Sequence, residues 1–161
     1  MIFGKDVAEL PVEKFLAKPL LPILLDVRGS TDYDPAIPRS KRIYLLDLED
    51  RISEFEKRFE AQLLRRPLLI YCSKGDGSRY ILKKFSRKFV VQGLKGGMVA
   101  YLETISRLLN EHPYEEPERR NETMAKLLAM LTNRQTPPDI FRNIVMRLIR
   151  SSPDPEVRKW L

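Results

Sequence analysis

Leu68-Leu69-Ile70-Tyr71-Cys72-Ser73-Lys74-Gly75-Asp76-Gly77-Ser78-Arg79 changes character at one residue. Pro67 through Tyr71 is a short apolar run with the length and composition of a buried strand. Cys72 through Gly77 is loop chemistry with two glycines. Ser78 then offers a cap for a helix whose apolar face is Ile81, Leu82 and Phe85. A strand that passes through a short polar loop into a helix is the repeating unit of an α/β layer.

The flanking sequence repeats that unit. Upstream, Pro22-Ile23-Leu24-Leu25-Asp26-Val27 reads as a second buried strand, stopped by charge and Gly29, with Ser30-Thr31-Asp32 as a cap for a helical turn. Arg42-Ile43-Tyr44-Leu45 is a weaker strand. Leu48, Ile52, Phe55, Phe59 and Leu63 recur every three or four residues and predict one apolar helix face. Downstream, Phe89-Val90-Val91 predicts a third strong strand, Gly93-Leu94-Lys95-Gly96-Gly97 a tight connection, and Met98 to Leu109 another amphipathic helix. Alternating strands and helices imply a parallel sheet with helices on both faces. Ligands of such sheets sit at the carboxyl ends of strands, which is where Cys72 falls.

Composition shifts after Asn110. The segment from His112 to Glu118 is polar, carries two prolines and reads as a linker. Asn121 caps a helix through Leu131, Thr136-Pro137-Pro138 opens another, and Asp154-Pro155 starts a final turn ending at Trp160-Leu161. The division implied is residues 1–111 as an α/β domain and 112–161 as an all-helical extension. The stripe Ile140, Phe141, Ile144, Val145 and Leu148 is too small for a core of its own. It predicts docking on the α/β part or, through a homo-oligomer of the C-terminal helices, on a second copy.

The chain has 161 residues, enough for one domain with an appendage. Its 29 Lys+Arg against 22 Asp+Glu give a net charge of +7, which favours anionic partners. One cysteine rules out an internal disulfide and suits a reducing compartment. Cys72 and the lone His112 are too few for a Cys/His zinc site, so no metal is expected. No apolar run is long enough to span a bilayer, and Met1 to Leu10 lacks the pattern of a signal peptide, so the expectation is a cytoplasmic protein with no membrane association.

Cys72 carries the candidate chemistry. A thiol is nucleophilic as thiolate, and local positive potential favours that form. Gly75 and Gly77 let the loop curl so that backbone N–H groups point inward, and such a nest beside a helix start stabilises an anion. Lys74, Arg79, Lys83 and Lys84 add positive charge. The competing reading of a lone cysteine is an inert buried residue. Lys83, Lys84, Arg87 and Lys88 read most simply as a solvated helix face, with an anion-steering rim as the alternative. Asp26 and Arg28 read as an internal brace before a substrate site. Arg39-Lys41-Arg42 lacks the interleaved aromatics of single-strand binders, so nucleic acid is disfavoured as a partner.

Taken in order, Leu24-Leu25-Asp26-Val27-Arg28, Asp32-Tyr33, Ile37-Pro38, Leu69-Ile70-Tyr71-Cys72 and Gly93-Leu94-Lys95-Gly96-Gly97-Met98-Val99-Ala100-Tyr101 resemble the rhodanese domain, over roughly residues 5–110. The resemblance implies a five-stranded parallel rhodanese-like sheet. It also implies a catalytic cysteine that accepts sulfane sulfur as a persulfide and passes it to a nucleophile, with no cofactor. Where the family has His-Ile-Pro-Gly-Ala, this chain has Ala36-Ile37-Pro38-Arg39-Ser40, and its closing tryptophan is Tyr101 here. Lys74 matches a basic position of thiosulfate-using members, whereas Asp76 makes the loop less welcoming to a dianion.

Related phosphatases and arsenate reductases place arginine after five intervening residues; here Ser78 holds that position and Arg79 follows it. The expectation is therefore a sulfurtransferase with Cys72 as nucleophile. Ser73, Lys74, Gly75, Asp76, Gly77, Ser78 and Arg79 form its substrate loop, and Asp26 and Arg28 support it. Its partners are a small-molecule sulfur donor such as thiosulfate and an external thiol or protein acceptor. The alternatives are a non-enzymatic interaction or regulatory module and, behind it, a phosphatase or arsenate reductase.

Overall fold

The computed structural model describes residues 9–17, 22–29, 35–110, 117–132 and 138–159. The Ser30–Asp32 cap, Asp32-Tyr33, His112, Thr136-Pro137 and Trp160-Leu161 lie outside them.

The strands are β1 (Glu9–Leu10), β2 (Ile23–Asp26), β3 (Lys41–Arg42), β4 (Leu68–Tyr71) and β5 (Val91–Leu94). They form one sheet in the order β1-β5-β4-β2-β3, and every pairing is parallel. The helices are α1 (Val12–Ala17), α2 (Leu45–Glu49), α3 (Ile52–Arg58), α4 (Glu60–Arg65), α5 (Asp76–Leu82), α6 (Gly97–Asn110), α7 (Pro117–Thr132), α8 (Pro138–Arg150) and α9 (Pro155–Arg158). This is the five-stranded parallel α/β architecture with a helical C-terminal region.

Side chains along a strand alternate between faces, and here that alternation builds two cores. Leu24, Leu69, Tyr71 and Leu94 face α1, α6, α7, α8 and α9, where Phe15, Tyr101, Ile105, Leu127, Phe141 and Ile149 are buried. Ile23, Leu25, Leu68 and Ile70 face α2 to α5, with Leu48, Phe55, Leu63 and Ile81. All four residues of β4 are fully buried, as a central strand covered on both faces requires.

The C-terminal stripe docks within the chain. Phe141, Val145 and Leu148 are buried in the same core as β4, together with Ile149, and the Tyr101 and Phe141 rings stack at 6.3 Å. Met124, Met130 and Met146 pack against this core. Ile140 is the exception in the expected stripe and stays 48% exposed.

Several expected boundaries move. The Phe89–Val91 strand lies two to three residues later, because the register pairs Val91 with Leu68 and Gly93 with Ile70; Val90 is exposed. The Arg42–Leu45 strand stops at Arg42. Its ladder continues irregularly through Ile43 N–H to the Asp26 carbonyl and through Leu45 N–H, at the first residue of α2, to the Val27 carbonyl. The single helix expected from Leu48 to Leu63 is three short ones, α2, α3 and α4. Helix α5 ends at Leu82, so Lys83, Lys84, Arg87 and Lys88 follow it rather than line it. Asn121 lies within α7, which starts at Pro117.

Candidate functional site

Cys72 follows β4 directly, at the carboxyl end of the central strand. The backbone then reverses through Gly75, whose φ of 101° lies in the left-handed region that glycine tolerates best. Gly75, not Ser78, is the N-cap of α5, which starts at Asp76. The turn aims two backbone N–H groups at the cysteine sulfur: Gly75 donates to Sγ at 3.0 Å and Ser78 at 3.4 Å. Two inward-pointing donors thus converge on the sulfur, from Gly75 and Ser78.

The loop is clamped from the other side by the start of α6. Met98 N–H donates to the Cys72 carbonyl at 2.8 Å and Val99 N–H to the Ser73 carbonyl at 3.0 Å. This approach is closed to any side chain at Gly97, which also holds a φ of 63°. From the α2 side, Leu45 reaches the same pocket. A β-carbon on Gly77 would lie 3.5 Å from Leu45 Cδ2 and 3.7 Å from Cys72 Sγ.

The loop's charged side chains divide. Lys74 and Asp76 are exposed. The Arg79 guanidinium is 3.5 Å from the Glu9 carboxylate on β1, so part of its field is spent there. Lys84 pairs with Glu49 at 3.3 Å, and Lys88 pairs with Glu60. Ser78 is buried, with its hydroxyl 3.7 Å from Cys72 Sγ.

Asp26 and Arg28 form a brace. Arg28 donates through Nε and Nη2 to the two carboxylate oxygens of Asp26 at 2.9 and 2.8 Å, and both side chains are buried. Arg28 also donates to the Pro35 carbonyl, and Arg42 approaches Asp26 at 3.3 Å. A fork-on-carboxylate pair of this kind fixes orientation as well as charge, and it ties β2 to the 35–40 turn. Of the run Arg39-Lys41-Arg42, Arg42 serves this brace and the Lys41 ammonium lies over the Phe59 ring.

Tyr71 holds the same turn. Its hydroxyl accepts from Ile37 N–H at 3.1 Å and bonds Ser40 Oγ at 2.6 Å, while Ser40 donates to the Ile37 carbonyl. Burial, reinforced by the Asp26 charge, pushes the Tyr71 phenol up to about 12, so it stays protonated. Inside this turn Arg39 has a φ of 67°, at the position where the resemblance has glycine.

Among the described residues no three His, Cys, Asp or Glu side chains gather as a metal site. No described helix is long and apolar enough to cross a membrane. Gly97, the Met98 and Val99 N–H groups, and Glu9 shape the site although residue-type reasoning assigned them no part. The paired glycines Gly96-Gly97 were the available signal.

No family model matches the chain. It is similar to the chromosome partition protein MukE of Escherichia coli strain K12, 25% identical over 154 residues that cover 92% of this chain and 65% of that protein. It is also similar to MukE of Salmonella typhi, 26% identical over 143 residues covering 85% and 63%. The chain thus spans somewhat under two thirds of the length of these curated relatives. Among solved structures, it is similar to a Rhodopseudomonas palustris protein described as a possible tyrosine phosphatase. The TM-score is 0.52 and the identity 18%, over 63% of this chain and 83% of that one. It is likewise similar to Saccharomyces cerevisiae Ygr203w, described as a homolog of single-domain rhodanese and the Cdc25 phosphatase catalytic domain. There the TM-score is 0.51 and the identity 13%, over 65% and 85%. These likenesses establish a rhodanese-like fold.

Proposed function

We propose that the chain is a rhodanese-type sulfurtransferase acting through a Cys72 persulfide. The supporting observation is the convergence of the Gly75 and Ser78 N–H groups on Cys72 Sγ. Donors fixed by backbone need no reorganisation when charge develops on sulfur. In the first half-reaction the Cys72 thiolate attacks the sulfane sulfur of a donor such as thiosulfate. The donor S–S bond breaks, and sulfite departs with the electron pair. In the second, an external thiolate attacks the outer persulfide sulfur, forms its own persulfide and returns Cys72 as thiolate. Cys72 is the chain's one cysteine, so the acceptor comes from outside. Lys74 serves the anionic donor. Ser78, where the phosphatases of this fold carry arginine, fits a small sulfur site better than a tetrahedral oxyanion.

Intact mass after incubation with thiosulfate tests the proposal. Wild type should gain the mass of one sulfur atom, reversibly on reduction, and Cys72→Ser should gain none. Absence of the adduct in wild type overturns it.

The likeness to chromosome partition proteins extends over 92% of the chain, beyond the part that resembles rhodanese. It favours a second reading, a non-enzymatic interaction module in which the helical region carries the function. Cells carrying Cys72→Ala in place of the wild-type chain separate the two: an unchanged phenotype supports the module, and a null phenotype supports sulfur transfer.

A further inference from the structure

Ser78 is 1% exposed, and its hydroxyl makes two contacts at once, one as donor and one as acceptor. Its Oγ donates to the Gly75 carbonyl at 3.1 Å. The same Oγ accepts from the Cys72 thiol across 3.7 Å. Together these form a relay from sulfur to hydroxyl to carbonyl, which requires a protonated sulfur. An ionised sulfur has no proton to give and is an acceptor only.

The surroundings allow the hydroxyl to answer that change without leaving a buried group unpaired. The Gly75 carbonyl also accepts from Arg79 N–H at 3.1 Å, so it keeps a partner if Ser78 turns away. Sulfur already receives the Gly75 and Ser78 N–H groups, and the Ser78 hydroxyl stands 3.7 Å from it. Gly93 on β5 faces this hydroxyl: a β-carbon there would lie 3.5 Å from Ser78 Oγ and 3.1 Å from Leu82 Cδ2. The missing side chain lets α5 lie close enough to the sheet to seat Ser78 against the sulfur.

We propose that the Ser78 hydroxyl is a two-position switch keyed to the protonation of Cys72. With a thiol, it accepts from sulfur and donates to the Gly75 carbonyl. With a thiolate, it rotates about its Cβ–Oγ bond and donates to sulfur as a third hydrogen bond. The thiol proton leaves to water, and the hydroxyl keeps its own. The inference deepens the sulfur-transfer reading, because the thiolate is both the species that attacks the donor and the species released to the acceptor. Ser78 then favours both ends of the cycle over the resting thiol. It also gives the residue at the phosphatase arginine position a task directed at sulfur rather than at a bound oxyanion.

The test uses the full-length chain and needs no sulfur donor, so it can fail while sulfur transfer stands, and the reverse. Iodoacetamide alkylation is followed against pH in wild type, Ser78→Ala, Ser78→Thr and Ser78→Val. Thr keeps the hydroxyl, and Val has the same shape without it. The switch predicts that Ala and Val move the alkylation midpoint up by about one pH unit, a roughly tenfold loss of thiolate below the midpoint, whereas Thr stays near wild type. The infrared S–H stretch at acidic pH belongs to Cys72 alone, since the chain has no other thiol. It should shift to the non-bonded frequency in Ala and Val and not in Thr. If Ser78→Ala fails to fold, the Thr and Val pair decides. Equal midpoints and equal S–H bands for Thr and Val overturn the switch.

Discussion

Gly97 and Cys72 meet backbone to backbone: a β-carbon on Gly97 would begin 2.4 Å from the Cys72 carbonyl oxygen and 2.7 Å from the Ser73 carbonyl. The atoms in the way are main chain, so no rotamer change relieves the clash. The contact lets α6 donate Met98 and Val99 N–H groups to the cysteine loop.

Gly97→Ala should therefore lower stability by at least about 2 kcal/mol, since the left-handed backbone alone costs a side chain roughly 1–2 kcal/mol before the clash is added. Denaturant melts measure the loss. Alkylation of Cys72 in the surviving folded fraction should also change rate, because the loop must shift to admit the methyl. A variant with wild-type stability would mean that α6 does not lie this close.

Arg39 occupies a left-handed backbone position without being glycine, with a φ of 67°. Arg39→Gly removes the steric cost and adds unfolded-state entropy of about 0.5–1 kcal/mol. The expected net effect is a gain of up to about 1 kcal/mol, read as a raised denaturation midpoint. A clear loss would show that the arginine side chain holds the turn by contacts that outweigh its strain.

Tyr71 gives the fold an alkaline limit. Its folded-state value of about 12 lies above the ordinary 10.0, so the folded state holds its phenolic proton more tightly than the unfolded chain does. That contribution is complete below about pH 10 and declines as pH rises through 12. Tyr101, fully buried and also raised, adds to the slope. Tyr71→Phe should lessen the fall between pH 10 and 12. At neutral pH it should cost about 1–3 kcal/mol, because the Ile37 N–H loses its acceptor. Chemical melts at pH 7 and pH 11 give both numbers; an unaltered alkaline slope would remove Tyr71 from the account.

Lys74 is an exposed cation of the cysteine loop. Lys74→Ala should raise the KM for thiosulfate several-fold and leave the acceptor half-reaction unchanged. Double-displacement kinetics separate the two halves. Because the side chain is exposed, the effect should shrink as salt is added. An unchanged donor dependence at low salt would take Lys74 out of donor binding.

Truncation after residue 111 tests whether residues 1–111 form a domain in their own right. The helices beyond it cover Tyr101, Ile105, Leu108 and Leu109 of α6. The shortened chain should fold its sheet and aggregate, as light scattering would report. A soluble truncated monomer as stable as the full chain would show that Phe141, Val145 and Ile149 contribute nothing to the core.

The strands around Leu68–Tyr71 and Leu24–Leu25 were legible because full burial on two faces leaves an unbroken apolar run. Strand β5 was misplaced because Gly93 reads as a turn residue. Its missing side chain is a packing requirement set by Ser78 and Leu82, which neighbouring residues in sequence cannot reveal. The two-residue strands β1 and β3 carry almost no local signal; their pairing with β5 and β2 defines them. Cys72 and its glycines were legible from loop chemistry. The pairing of Arg79 with Glu9 was not, since it joins residues seventy positions apart.

The alternation of β4 has an evolutionary consequence. Leu69 and Tyr71 answer to the side that bears the C-terminal helices, and Leu68 and Ile70 to the side that bears α5. Away from the start of α6, which clamps the cysteine loop, the thickness of the sheet separates substitutions on one side from the other. A lineage can remodel or exchange what leans on Tyr101 and Leu109, provided those side chains stay covered, while the helix that carries Ser78 stays as it was.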